Sequence, residues 1–116
     1  MPQYMLLIYG EPSDEPPPER QEELYREWLN YTNALVASGA MVSGAPLEGV
    51  DAARTVRVRD GDTLTAQGPF LDTREILGGY YLVDVPDVDA AIALAAQMPN
   101  IENGTVEVRP VVVFPQ

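Results

Sequence analysis

QGPFLDTREILGGYYLVDV, residues Gln67–Val85, sets four unlike pieces in a fixed order. Gly68-Pro69 reads as a turn, since glycine reaches left-handed backbone angles freely and proline fixes its own φ. Asp72-Thr73-Arg74-Glu75 is a charged loop segment, and Phe70 is expected to anchor it in the core. Gly78-Gly79 is a hinge or a bulge. Tyr80–Val85 is dense in aromatic and β-branched residues and reads as a strand. Pro86 stops that strand. Asp87 then caps a helix running to about Met98, with Val88, Ala91, Ile92 and Ala95 as a slim apolar face.

Working outward, Thr55, Val56 and Val58 alternate loosely with Arg54, Arg57 and Arg59 as a half-exposed strand. Asp60-Gly61-Asp62 turns, and Thr63–Ala66 returns to close a hairpin. At the start, Gln3–Tyr9 is a continuous apolar run suited to a strand buried on both faces. Gly10–Pro18 is an acidic loop whose prolines forbid regular structure. A helix follows over about Glu19 to Ala37, ended by Gly39; Leu24, Trp28, Tyr31 and Leu35 share one face, which Leu29 and Val36 widen. Met41–Pro46 is a short strand, Pro99–Gly104 a loop, and Thr105–Phe114 the last strand, with Pro110 placing it at an edge or a bulge. The order is β-α-β-(hairpin)-β-α-β, an α+β, ferredoxin-like βαββαβ arrangement with an added β-hairpin. Two helices cover one face of such a sheet. The apolar residues on the other face predict a homodimer packed face to face.

Composition narrows the chemistry. The chain has 116 residues and a net charge of −11, with no cysteine, no histidine and no lysine, so all seven cations are arginine. An acidic surface repels phosphate backbones and anionic membranes, so no nucleic-acid or membrane partner is expected. Without cysteine a disulfide framework and thiol catalysis are excluded, and the cytoplasm is the expected location. The apolar run Met5–Tyr9 has no basic residue before it and does not read as a signal peptide. Without histidine or cysteine no zinc site is expected, no cofactor motif is present, and the serines have no base to activate them. Arg54, Arg57, Arg59 and Arg109 are expected to pair at the surface with carboxylates such as Asp60, Asp62 and Glu107; the alternative is an anion pocket.

The quoted stretch resembles the signature of the DGPF family, part of the wider YciI-like (YCII-related) group. There an Asp-Gly-Pro-Phe tetrad precedes an acidic-Thr-basic-Glu segment and a Leu-Gly-Gly-aromatic strand. Gly68, Pro69, Phe70, Asp72, Thr73, Arg74, Glu75, Leu77, Gly78, Gly79 and Tyr80 match, whereas Gln67 stands where the family has the Asp. The resemblance implies one YCII-related domain over residues 1–116 and a dimeric α+β barrel. Family members of the YciI type are associated with a His–Asp pair. This chain has no histidine, and that chemistry does not carry over.

Two functional readings follow. One is a homodimeric accessory or interaction module of undefined activity, with a small-molecule-sized cleft. The other is a cofactor-independent lyase- or isomerase-type enzyme acting on a small anionic substrate. In the second, Asp72 or Glu75 serves as catalytic base, Arg74 holds the anion bidentately, and Tyr9 and Tyr81 contact the substrate. The competing structural reading has Asp72 capping a turn, Arg74 paired with a carboxylate and Gly78-Gly79 forming a bulge.

Overall fold

The elements are β1 (Gln3–Gly10), α1 (Pro18–Ser38), β2 (Met41–Pro46), β3 (Arg54–Arg59), β4 (Asp62–Gln67), β5 (Ile76–Asp84), α2 (Val88–Ala95) and β6 (Thr105–Pro110). The computed structural model describes residues 2–11 and 16–115. The centre of the expected acidic loop, residues 12–15, lies outside the described residues. Four strands form one antiparallel sheet in the order β2-β5-β1-β6, and β3-β4 is a separate hairpin. With α1 following β1 and α2 following β5, this is the ferredoxin-like order, and the hairpin is inserted between β2 and β5.

Alternation along the strands sorts the side chains. Tyr4, Leu6 and Ile8 of β1, Tyr81 and Val83 of β5, and Val106 and Val108 of β6 face the helices and join Leu35, Ala91 and Met98 in the core. Leu6 and Val83, both fully buried, form its centre. Met5 opposite Leu82 and Leu7 opposite Tyr80 fall on the other face, which no helix covers. Their half-exposure leaves a continuous apolar stripe there.

Local signals end the helices. Pro18 opens α1, where a missing N–H costs nothing. Gly39, at φ 82°, closes it in the left-handed conformation, and the Ala40 N–H reaches back to the Leu35 carbonyl over 3.1 Å. Asp87 caps α2 by accepting the Ala90 N–H at 2.9 Å. The α2 helix stops at Ala95 rather than near Met98, although Met98 still plugs the core at 2 % exposure. Its apolar face is narrower than the pattern implied: Ala91 and Ala95 are buried, and Val88 and Ile92 are exposed. On α1, Leu29 and Val36 likewise lie outside the core.

Further sequence expectations are corrected. The strand read as Tyr80–Val85 begins at Ile76, so Gly78 and Gly79 lie within it. Its pairing with β1 steps from Ile8–Gly79 to Tyr9–Leu77, which makes Gly78 the extra residue of a bulge. The strand read as Thr105–Phe114 ends at Pro110. Pro110 pairs with Tyr4 and the Val111 N–H bonds Gln3, after which β1 offers no further partner, and Val112, Val113 and Phe114 run on exposed. Phe70 is not a core anchor: it is 65 % exposed and lies beneath the Arg57 guanidinium, 4.7 Å from its ring centroid.

The hairpin closes through Asp60 and Gly61, whose φ of 52° and 82° suit the tight turn that follows the strand twist. β4 is exposed along its whole length. Its root is tied by the Gly68 N–H to Ala53 and by the Thr55 hydroxyl to the Gly68 carbonyl. Among the described residues, Arg54, Arg57 and Arg59 reach no carboxylate; Arg54 and Arg59 donate to nearby backbone carbonyls instead. Of the four strand arginines, Arg109 alone makes the expected kind of pair among the described residues, with Glu107.

Candidate functional site

A second face of α1, offset from the core face, carries Tyr25, Trp28, Leu29 and Thr32 at i, i+3, i+4 and i+7. It overhangs the β2–β5–β1 end of the sheet, and between them opens a cleft of about 600 Å³. β2 supplies Met41 and the Gly44–Pro46 segment; β5 supplies Gly78 to Tyr81; β1 supplies Ile8, Tyr9, Gly10 and then Glu11 at the rim. Asn100, from the loop after α2, closes one side. Size and apolar character are those of a ligand-type pocket.

Trp28, Tyr31 and Tyr81 form an aromatic cluster at the inner end. Trp28 stacks on Tyr81 at 18° with centroids 6.3 Å apart, and Tyr31 meets both rings edge-on at 6.0 and 5.5 Å. The Tyr81 hydroxyl shares a 2.6 Å hydrogen bond with Thr32 Oγ1. Gly44 makes room for this ring, because a Cβ there would stand 2.8 Å from Tyr81 Cδ1 and 2.9 Å from the Tyr80 carbonyl. Tyr31 donates to the Leu94 carbonyl at 2.7 Å, linking α1 to α2. Burial, reinforced by the neighbouring Tyr81, pushes its phenol up to about 12.

The residues expected from the charged segment lie elsewhere. Tyr9 and Tyr81 line the cleft; Asp72, Arg74 and Glu75 do not. Asp72 is exposed and makes no hydrogen bond or ion pair among the described residues. The Glu75 carboxylate accepts from the Thr105 hydroxyl at 2.9 Å, and Thr73 closes the local turn by donating to the Glu75 carbonyl at 2.6 Å. Arg74 reaches back to Glu11 on the cleft rim, Nε to Oε1 at 2.5 Å. The charged segment therefore touches the cleft through one ion pair. Of the structural alternatives, the bulge and the Arg74 pair are present, while Thr73 rather than Asp72 holds the turn.

No arginine lines the cleft, and Glu11 is the one acidic side chain that does, among the described residues. Such a lining can stack a flat ring and offer hydroxyl groups. Tyr25 and Thr32 are the lining residues of α1 that the sequence pattern did not single out, although their i, i+7 spacing is legible. Trp28 packs against the core as expected and lines the cleft as well, and Leu29 widens the apolar face on the cleft side. No group of three acidic side chains converges as a metal site, and no helix is long and apolar enough to cross a membrane, among the described residues.

A family model for the YCII-related domain matches residues 2–115. The chain belongs to the YCII-related family. An uncharacterized protein of Rhizobium meliloti (strain 1021) is 33% identical to this YCII-related chain over 98 residues, covering 83% of this chain and 79% of its own length. Family membership thus agrees with the sheet order, and it assigns no reaction to the cleft.

Proposed function

We propose that this chain is a homodimeric, non-catalytic binding module of the cytoplasm, forming a dimeric α+β barrel and taking a small molecule into the cleft between α1 and the sheet. The observation that carries this reading is the lining itself: aromatic and apolar, with a single carboxylate among the described residues, already engaged by an arginine. Proton transfer needs an acid or base within reach of the substrate. Asp72 stands in solvent outside the cleft and Glu75 is tied to Thr105, so the enzymatic alternative keeps Tyr9 and Tyr81 at the cleft but has neither of its carboxylate bases there. The dimer rests on the uncovered stripe of Met5, Leu7, Tyr80 and Leu82, an apolar surface that a second copy would remove from water.

Native mass spectrometry of protein purified gently from its own host tests both parts. The expected species is twice the 12.7 kDa chain mass, carrying a stoichiometric small adduct. A monomer at micromolar concentration would remove the dimer. A turnover abolished by Asp72→Asn or Glu75→Gln would replace the binding module with the enzyme.

A further inference from the structure

The geometry points to an uncharged, planar ring compound bearing a carbonyl, ether or hydroxyl oxygen as the ligand of the cleft; this rests on the reading of the cleft as a small-molecule site. Shape comes first. Tyr25 and Trp28 on the helix and Tyr81 on the sheet supply flat aromatic walls, and Met41 adds a polarisable sulfur. Gly78 exposes bare backbone, since a Cβ there would meet nothing closer than the Ile8 carbonyl at 4.0 Å. A flat molecule fills such a slot with the most contact.

Charge comes second. Glu11 is held by Arg74, the chain has no lysine or histidine, and no arginine lines the cleft. An anion would lose its hydration with no cation to meet it, and an ammonium would have to displace Arg74 to find a free carboxylate. A neutral ligand meets neither penalty.

Hydrogen bonding comes third. In the Thr32–Tyr81 contact one hydroxyl donates and the other accepts. The accepting hydroxyl keeps its own hydrogen, and no other acceptor for either group is present among the described residues. Both residues line the cleft, so this spare donor is matched by an oxygen on the ligand.

The test uses the full chain and four matched probes: acetylnaphthalene, ethylnaphthalene, naphthoate and naphthylmethylammonium. Trp28 is the one tryptophan of the chain, so its indole N–H gives one nuclear magnetic resonance peak that reports the cleft alone. Acetylnaphthalene is expected to shift that peak and to bind about 2- to 10-fold tighter than ethylnaphthalene, the range of one neutral hydrogen bond. Both are expected to bind at least about tenfold tighter than either charged probe. Thr32→Val combined with Tyr81→Phe removes both hydroxyls with little change of shape, and should erase the advantage of the ketone. Leu29→Glu, at a position already 44 % exposed, should weaken both neutral probes without unfolding the chain. If a charged probe binds tightest, the ligand class is wrong and the small-molecule reading stands. Equal binding of ketone and hydrocarbon by the native chain overturns the donor. Failure of all four to move the indole peak overturns the small-molecule reading and this inference together.

Discussion

Replacing Tyr31 by phenylalanine removes one oxygen from the joint between α1, α2 and the sheet. The ring contacts with Trp28 and Tyr81 survive, and the hydrogen bond to the Leu94 carbonyl is lost. That carbonyl still accepts the Gln97 N–H at 3.2 Å, so it is not orphaned. The expected loss near neutral pH is therefore that of one ordinary hydrogen bond, about 0.5–1.5 kcal/mol. A second signature separates this from general loosening. The phenol ionises near pH 10 when unfolded, and at about 12 when folded, because burial and then Tyr81 disfavour the phenolate. A raised folded pKa means that its contribution is full below pH 10 and is lost as pH climbs from 10 to 12. The Tyr31→Phe variant lacks that component, so the gap between the two proteins narrows through this window. Partial exposure of the ring makes the narrowing shallower than the full shift implies. Urea unfolding followed by circular dichroism at one fixed protein concentration, at neutral pH and in steps above pH 9, measures the gap directly. A zero gap at neutral pH refutes the hydrogen bond. A gap that stays constant to pH 11.5 refutes the burial of the phenol.

Asp87→Ala deletes the cap of α2 and should lower stability by about 1 kcal/mol in a thermal or denaturant melt. Gly104→Ala places a Cβ 2.6 Å from both Asn100 Nδ2 and the Tyr9 carbonyl, and should cost about 1–3 kcal/mol. Gly49→Ala, with nothing within 4 Å and an ordinary φ of −62°, is its control and should be neutral or slightly stabilising by the same melt. Leu6→Ala opens the centre of the core, with an expected loss of about 2–5 kcal/mol. Phe70→Ala should cost no more than about 1 kcal/mol in the isolated chain, the value of an exposed cation–π contact. A larger loss that grows with protein concentration would place Phe70 against a second copy.

Much of the fold was legible because its signals are local. Proline at the entry to α1, Gly39 at its exit, Asp87 at the start of α2 and Asp60-Gly61 in the hairpin each act within a few residues of themselves. The errors arose where distant partners decide. Gly78-Gly79 does form the expected bulge, but within a strand that starts at Ile76 rather than ahead of it, and β2 passes so close that a Cβ on Gly79 would stand 3.0 Å from the Ala45 carbonyl. Val111–Phe114 looks like strand by composition, but the far end of β1 has already run out beside it. Phe70 looked buried from its type alone, and its neighbour turned out to be Arg57 on the projecting hairpin. The site was harder still. Tyr9 and Tyr81 are legible as cleft residues, whereas the rest of the lining is ordinary core-type residues on a second helical face and on β2 and β5, which the crossing of α1 over the sheet brings together.

The two outermost strands have a consequence for how this molecule fails. β2 is six residues long, irregular near Val42 and closed by Pro46; β6 is also six residues long and closed by Pro110, with the Glu107–Arg109 pair beside it. A foreign strand arriving at either margin finds a short run of backbone partners and then a proline or a charge. Open-ended stacking at these two margins of the four-stranded sheet is therefore disfavoured, even though apolar side chains crowd its uncovered face. An association driven by those apolar side chains would use the face of the sheet rather than its margins, and a closed face-to-face pairing does not propagate into threads.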